Sequence, residues 1–254
     1  MDWSRVIGII PARYASSRLP GKPLLKIGDW SVIRHVYERV RQLMPYVLVA
    51  TDDERIADEV HAFGGQVVMT STEHQSGTDR IREALDVFER EKGLSFDYVV
   101  NIQGDEPFVS LSHLELLMEA FSDRAVDIST LVLPFPDDLS LSELSNPNHV
   151  KVVRTSGGRA LYFSRSVVPY KRREVGITYY KHIGLYAFRS SILREVTRLP
   201  MGLLEQTEGL EQLRWLEAGY AIQTAVTSQV SIGIDTEEDL EEARRYYEQF
   251  MKQR

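Results

Sequence analysis

Apolar residues in the first hundred positions follow two alternating patterns. Short apolar runs of strand length occur at 6–10, 47–50, 67–69 and 98–102. The residues between these runs recur at the helical spacing i, i+3, i+4 and i+7, in the stretches 32–43, 56–63 and 81–88. Strands that alternate with helices in this way pair in parallel. The pattern predicts an α/β fold with a mostly parallel central sheet and flanking helices.

The pattern changes from about residue 127. Strand-like runs at 128–133, 150–154, 160–163 and 183–188 are separated by turns and loops rather than by long helices. They predict a smaller antiparallel subregion at roughly 127–200. A helix at 204–218, a strand at 222–226 and a helix after Asp235 follow. Because no repeat, low-complexity tract or linker interrupts the chain, we expect residues 1–254 to form a single α/β domain.

Composition and charge exclude several classes of protein. The net charge of −7 argues against a general nucleic-acid surface or an anionic membrane surface as partner, so any anion must be bound locally. The absence of cysteine excludes disulfides, thiolate metal ligands and cysteine nucleophiles. No secretory signal is present, and no apolar run approaches the roughly 20 residues that span a bilayer. We therefore expect a cytoplasmic protein.

The most informative stretch is the loop that follows the first strand, from Ile9 to Leu24. It carries three cations, Arg13, Arg18 and Lys22, together with serines and glycine, a composition suited to binding several phosphate oxygens. A solvated surface loop is the alternative interpretation. Three prolines favour ligand binding, because a stiffened loop loses less entropy when it holds a ligand.

This loop is not a P-loop, although it contains a Gly21-Lys22 pair. The P-loop pattern needs glycine five residues before the glycine of that pair, and serine or threonine directly after the lysine. Ser16 and Pro23 occupy those positions, which excludes a Walker-type NTPase.

Two aspartates are candidates for metal chemistry. Asp105 follows a buried strand and Gly104, whose lack of a side chain allows the backbone to approach a ligand, although Asp105 could simply be a turn residue. Asp235 precedes a helix start, and either Asp235 or Thr236 could be its N-cap. Magnesium needs only one or two carboxylates besides phosphate and water oxygens, so the pair would suffice for Mg2+.

Polar side chains in the second half could line a ligand site. In a strand from His182, alternate residues share a face, so His182 and Tyr186 lie opposite the aliphatic side chains. Glu211 and Gln212 are helical neighbours about 100° apart, and both could contact one ligand only if the helix end points at it. A structural histidine and a solvated acidic turn are the respective alternatives.

Several motifs, taken together and in this order, resemble the 3-deoxy-manno-octulosonate (Kdo) cytidylyltransferase family, the CMP-Kdo synthetases. The motifs are the PARYASSRLPGKPL run of the cationic loop, HQSGTDR at 74–80, Asn101 to Pro107, Asn146-Pro147-Asn148, LYFSR at 161–165, LEQLR at 210–214 and Asp235-Thr236. The loop alone is shared with other sugar-nucleotide synthetases, so the specificity lies in the combination.

The resemblance implies a nucleotide-diphospho-sugar transferase-like fold in which the antiparallel subregion is of a dimerisation type, and a homodimer. The implied reaction joins CTP and the eight-carbon sugar acid Kdo into CMP-Kdo and pyrophosphate, for lipopolysaccharide synthesis, with Mg2+ as cofactor. The expected partners are CTP and Kdo, with no nucleic acid and no membrane.

The same resemblance implies a role for particular side chains. The implied catalytic residues are Arg13, Lys22, Asp105 and Asp235, and the last two are the implied magnesium ligands. Residues implied to bind CTP are Arg13, Lys22, Ser76, Gly77, Thr78 and Arg80. Residues implied to bind the sugar acid are Gln103, Arg165, His182, Tyr186, Glu211 and Gln212.

Two other functions remain open at this point. A CMP-sialic acid synthetase or related CMP-sugar-acid synthetase would perform the same reaction on a different acid. The continuous Arg18 to Leu24 run and the Glu211-Gln212 pair fit the Kdo enzyme better. A noncatalytic nucleotide-binding protein would need the loop and its glycines, but it would have no use for the two aspartates.

Overall fold

The computed structural model describes residues 2–15, 18–74, 76–173, 175–230 and 232–251. Ser16 and Ser17 of the cationic loop, and Gln75 of the second motif, lie outside the described residues. The described strands are β1 (Val6–Ala12), β2 (Lys26–Ile27), β3 (Trp30–Ser31), β4 (Tyr46–Thr51), β5 (Val67–Met69), β6 (Tyr98–Asn101), β7 (Ile128–Pro134), β8 (Lys151–Arg154), β9 (Ala160–Ser164), β10 (Tyr180–Arg189) and β11 (Ile222–Val226). The described α-helices are α1 (Val32–Arg41), α2 (Glu54–Ala62), α3 (Gly77–Lys92), α4 (Leu111–Glu119), α5 (Leu141–Leu144), α6 (Ser190–Val196), α7 (Leu203–Glu208), α8 (Gln212–Glu217) and α9 (Glu237–Tyr246).

The chain divides into two compact units. The first unit comprises residues 2–111 and the C-terminal segment 232–251, and the second unit comprises residues 112–230. Among the described residues, no helix is both long enough and apolar enough to cross a lipid bilayer.

The first unit is built on parallel strands in the order β6-β1-β4-β5. Residues 6–10 of β1 are all buried, as expected for a strand with neighbours on both edges and cover on both faces. The chain leaves β1 towards β4 and β5 and later returns to the other edge of β1 as β6. The carboxyl ends of β1 and β6 therefore flank a topological switch point, where α/β sheets bind ligands.

Local sequence explains how α3 begins and ends. Ser76 is the N-cap, and its hydroxyl accepts a hydrogen bond from the backbone N–H of Asp79 (3.1 Å). Gly93 ends the helix in the left-handed conformation, with φ of 65°. The helix predicted from the apolar stretch 81–88 is therefore present, and these two residues set its ends.

A small apolar core joins the two ends of the first unit. Leu19 of the cationic loop and Val32 of α1 are buried in one cluster with Ile234 and Leu240 of the C-terminal segment. Burial of this cluster removes apolar surface from water and holds the segment containing Asp235 against the loop.

The second unit contains the antiparallel strands expected from the sequence. β10 pairs antiparallel with β7 and β8, and β8 pairs antiparallel with β9. β11 pairs in parallel with β7. The register between β10 and β7 shifts between Ile183 and Tyr186. The fold class predicted from the sequence, α/β with a mostly parallel central sheet and a smaller antiparallel part, is confirmed.

One predicted helix was wrong. The stretch 204–218 was expected to be continuous, but it forms two short helices, α7 and α8. Gly209 ends α7 with φ of 62°, a left-handed conformation that glycine adopts without the steric cost of a Cβ atom. The break places Glu211 and Gln212 at the start of a new helix rather than in the middle of one.

Candidate active site

A groove of about 440 Å³ lies at the carboxyl ends of β1 and β6, within the first unit. Its lining includes Arg13, Arg18 and Lys22 from the cationic loop and Gln103 and Asp105 from the segment after β6. The loop is closed by a backbone hydrogen bond from Gly21 N–H to the Tyr14 carbonyl (2.9 Å). The groove is therefore lined by three cations of one stiffened loop and a carboxylate opposite them.

Three oxygen atoms surround the Lys22 ammonium. Its Nζ atom is 2.7 Å from Asp105 Oδ2, 3.2 Å from Asp235 Oδ1 and 2.6 Å from the Ile234 carbonyl oxygen. An ammonium has three N–H donors, so these acceptors account for all of them. The Lys22 side chain is only 13% exposed, so this pairing is better shielded from solvent than a surface ion pair.

Asp235 is not the cap of α9. Thr236 is the N-cap: its hydroxyl accepts from Asp239 N–H, and the Asp239 carboxylate accepts from the backbone N–H groups of Asp235 and Thr236. The Asp235 carboxylate instead pairs with Lys22 through one oxygen and with Arg18 through the other (3.1 Å). The cap interpretation left open by the sequence is thus settled in favour of Thr236.

Backbone contacts bring the two aspartates together. The N–H of Ile234 donates to the Asp105 carbonyl at 2.9 Å, which joins the segment after β6 to the segment before α9. Gly104 allows the first of these segments to approach β1, because a Cβ atom at this position would lie 2.8 Å from the Pro11 carbonyl oxygen. Residues far apart in sequence are thereby placed around one ammonium.

The donor set suits a divalent cation that also binds phosphate. Among the described residues, no group of three or more His, Cys, Asp or Glu side chains could hold a metal ion. Asp105 and Asp235 nevertheless share a single cationic group, the Lys22 ammonium, which stands where a metal could bind both carboxylates. Two carboxylates fit Mg2+ when phosphate oxygens and water complete its octahedral shell.

Arg13 and the start of α3 form another wall of the groove. The Arg13 guanidinium donates to the His74 carbonyl, immediately before α3. Gly77 lines the groove, whereas Thr78 is buried and the Ser76 hydroxyl is used as the helix cap. Contacts from Ser76 to a nucleotide through that hydroxyl would therefore compete with the cap.

Arg80 lines the groove but is fully buried. Its Nη1 donates to Thr70 Oγ1 (2.5 Å) and its Nη2 to Asp52 Oδ2 (2.6 Å). Its Nε–H group is buried without a hydrogen-bond partner among the described residues. An unpaired buried donor of this kind is costly, so Nε–H is a donor that a ligand could satisfy.

In the second unit, His182 and Tyr186 lie side by side on β10, with ring centroids 5.3 Å apart. The Thr130 hydroxyl donates to the Leu185 carbonyl (2.8 Å) and therefore accepts from His182 Nε2 (3.0 Å). Nε2 is therefore assigned the proton, which leaves Nδ1 as an acceptor. Burial lowers the pKa of His182 to about 3, so the ring is neutral near pH 7.

Helix α8 packs against the same part of β10. The Trp215 ring meets the Tyr186 ring edge to face, at 5.1 Å between centroids and 82° between planes. Gln212 is one turn before Trp215, on the same face of the helix. The Tyr186 hydroxyl and Gln212 Nε2 are both buried without a well-formed hydrogen bond among the described residues, as expected of groups that await a ligand.

Arg165 and Glu211 border this cluster. The Arg165 guanidinium donates to the carbonyls of Pro147, Glu208 and Gly209, at 3.0, 2.7 and 3.3 Å. Glu211 directly precedes α8, and its charge contributes, after burial, to raising the pKa of Tyr186. The structure therefore brings His182, Tyr186, Glu211 and Gln212 together and holds Arg165 by carbonyls just before Glu211. It places Gln103 in the groove of the first unit beside Asp105.

Sequence patterns gave no role to two side chains around these clusters, Trp215 and Lys151. They indicated Arg18 only as a loop cation, and its pairing with Asp235 could have been suspected from its charge. Trp215 stands one turn after Gln212, and this spacing could have placed the two side chains on the same helix face. Lys151 begins β8 and is fully buried, but no feature of its local sequence indicates that.

These features are those of a nucleotidyltransferase, with a group of cations and two carboxylates at the switch point of a parallel sheet. Residues 7–223 match the cytidylyltransferase family, and the chain belongs to that family. It is 52% identical to the 3-deoxy-manno-octulosonate cytidylyltransferase of Porphyromonas gingivalis, over 96% of both chains. The corresponding enzyme of Phocaeicola vulgatus is also 52% identical, over 98% of both chains.

A solved structure extends the similarity to three dimensions. CMP:2-keto-3-deoxy-manno-octonic acid synthetase complexed with CTP superposes with a TM-score of 0.87 at 42% identity, covering 97% of this chain and 99% of the other. The resemblance inferred from the sequence motifs is confirmed.

Proposed function

We propose that this protein transfers CMP from CTP to the anomeric hydroxyl of Kdo and releases pyrophosphate, giving CMP-Kdo for lipopolysaccharide synthesis. The observation that carries this proposal is Lys22 held between Asp105 and Asp235 at the switch point of the sheet. Relatives named for the same reaction, and a similar structure named as a complex with CTP, support it.

The reaction is an in-line displacement at the α-phosphorus. The anomeric oxygen forms a new bond to that phosphorus, the bond to the departing pyrophosphate oxygen breaks, and the hydroxyl proton passes to solvent. Such chemistry depends on positioning and on neutralising charge. Arg13 and Lys22 contact the triphosphate and stabilise the charge that builds on the leaving group.

Asp105 and Asp235 are the residues that would hold Mg2+. When bound, this ion supplies charge neutralisation on the phosphates and a lowered pKa of the attacking hydroxyl. Lys22 would then leave the two carboxylates and donate its hydrogen bonds to phosphate oxygens, so the same ammonium serves in both states. Arg18 is a third cation in reach of the triphosphate.

The sugar acid is assigned to the cluster of the second unit. Arg165 would bind its carboxylate, and His182 Nδ1 would accept a hydrogen bond from a hydroxyl group. Tyr186, Glu211 and Gln212 supply further polar contacts, and the buried unpaired Nε2 atom of Gln212 supports this assignment. Gln103, which lines the groove of the first unit, is the sixth residue proposed for the acid.

The test is pyrophosphate release from CTP, measured with Kdo, with a sialic acid and with no acid. Release that requires Kdo and falls at least about 100-fold in Asp105→Asn is expected, since the substitution removes one carboxylate charge. Near-normal release by this variant at saturating magnesium would contradict the metal assignment. Release with sialic acid instead would favour the related synthetase, and CTP binding without release would favour a binding protein.

A homodimer, a single domain and a cytoplasmic location also remain proposals. The exposed apolar side chains Leu141, Tyr170 and Val175 of the second unit provide surface that a second copy could cover. Light scattering of the full chain would measure the oligomeric state, and a monomer at micromolar concentration would contradict the dimer.

A further inference from the structure

Lys151 is a buried cation without an assigned role. Its residue is fully buried at the start of β8, and its Nζ atom donates to two backbone carbonyls, those of Asn146 (3.1 Å) and Arg165. Neither acceptor is a carboxylate. Burial lowers the pKa of Lys151, Glu208 raises it and Arg165 lowers it, so burial is the largest influence on this ammonium. A buried ammonium is costly to keep, and an apolar residue would pack here at lower cost.

Arg165, whose carbonyl accepts a hydrogen bond from Lys151, itself connects several segments of the second unit. Besides its guanidinium contacts with Pro147, Glu208 and Gly209, Arg165 donates its backbone N–H to Glu208 Oε2 at 2.9 Å. The other Glu208 carboxylate oxygen accepts from the Ser164 hydroxyl at 2.6 Å. Two loops and the end of α7 are thus tied to one arginine.

The Arg165 guanidinium retains N–H donors that could bind a ligand. A guanidinium has five N–H donors, and three of them serve the three carbonyls, which leaves one on each terminal nitrogen. Charge points the same way: Lys151 and Arg165 are cationic and Glu208 is anionic, so one positive charge remains in the network. A carboxylate is a group that two N–H donors of one guanidinium recognise.

We propose that Lys151 is a positioning residue for recognition of the sugar acid's carboxylate. It acts through Arg165: by fixing the Arg165 main chain and the Asn146 loop, it orients the guanidinium and the turn that leads to Glu211. Lys151 does not touch the ligand, because it is buried beneath Arg165. This inference rests on the proposed function, since it takes a sugar acid as the ligand of Arg165.

The first test measures Michaelis constants for both substrates in Lys151→Met. We expect the KM for Kdo to rise about tenfold, the cost of disturbing one charge-assisted contact, while the KM for CTP changes less than about twofold. Lys181→Met is the matched control. Lys181 pairs with Lys151 across β10 and β8 and is also partly buried, so both constants should remain unchanged. A KM for Kdo that stays at the wild-type value in Lys151→Met would overturn the inference.

The second test is a double-mutant cycle with Arg165→Met. If Lys151 acts through Arg165, adding Lys151→Met to Arg165→Met should raise the KM for Kdo less than about twofold further. A purely structural lysine would give the full tenfold effect in both backgrounds. Should Lys151→Met fail to fold, Lys151→Gln, which keeps an N–H donor without the charge, takes its place in both tests. Wild-type protein without Kdo-dependent pyrophosphate release would refute the proposed function, whereas an active wild type with an unaffected variant would refute only this inference.

Discussion

The Lys22 ammonium lies 2.7 Å from Asp105 Oδ2, so the cation proposed to bind phosphate and a carboxylate proposed to bind the metal neutralise each other in this structure. Asp235 shares this ammonium at 3.2 Å. If Mg2+ binds these two carboxylates as proposed, it competes with Lys22 for the same oxygens, and the triphosphate is the group that would draw Lys22 away. We expect metal and CTP to bind together far better than the metal binds alone.

Lys22→Met should change the two affinities in opposite directions. Binding of Mn2+ without CTP should tighten several-fold, because two carboxylates lose a competing cation, whereas CTP binding should weaken about 10- to 100-fold through loss of a charged contact. Electron paramagnetic resonance of Mn2+ and calorimetry of CTP measure these separately. Arg13→Met is the control: it should weaken CTP binding without tightening Mn2+, since Arg13 contacts the His74 carbonyl instead. Weaker Mn2+ binding in Lys22→Met would argue against the competition.

Gly104→Ala should distort the site by displacing the backbone near Asp105. The new Cβ would lie 2.8 Å from the Pro11 carbonyl oxygen. Because this oxygen belongs to the backbone and cannot rotate away as a side chain could, the segment after β6 must shift. We expect a loss of about 1–3 kcal/mol in the free energy of unfolding, as for other overpacking substitutions. Chemical denaturation measures it. Gly93→Ala is the control: it introduces backbone strain at a positive φ of 65° but no clash, because nothing lies within 4 Å of its Cβ position. A Gly104→Ala protein as stable as wild type would show that the segment after β6 shifts without a loss of stability, contrary to this prediction.

Arg214→Met should be strongly destabilising. Its guanidinium forms two hydrogen bonds of 2.6 Å with Glu205, and the two side chains are only 11% and 7% exposed. Removing the arginine leaves a buried unpaired carboxylate, at a cost of about 3–5 kcal/mol. The double variant Glu205→Leu/Arg214→Met should recover most of this loss, because it removes the stranded charge as well. Equal stability of the single and double variants, measured by urea denaturation, would exclude this explanation.

His182 should make folding stability depend on pH. Its pKa in the folded protein is about 3, below the ordinary value of 6.5, so between these values the unfolded chain binds more protons. Stability from this group is complete above pH 6.5 and is lost as the pH falls towards 3. His182→Gln should reduce the slope of unfolding free energy against pH by up to about 1.4 kcal/mol per pH unit in this window. An unchanged slope would mean that His182 is accessible to protons in the folded state.

The sequence by itself determined the order of elements and the fold class. Apolar runs and helical stripes predict the parallel strands of residues 6–102 because periodicity reflects which face is buried, a local property. Motif order indicated the family. The same local signals could not separate α7 from α8, since Gly209 could equally have stood within one helix.

Only the tertiary structure decided how the candidate side chains combine. Local sequence left either Asp235 or Thr236 as the helix cap, whereas the packing of Ile234 and Leu19 in one core holds Asp235 against Lys22. Lys151 gave no sign of its burial, because whether a lysine is covered depends on strands far away in the chain. Contacts between distant segments carry the chemistry of this protein, and such contacts follow from how the whole chain packs rather than from the spacing of neighbouring residues.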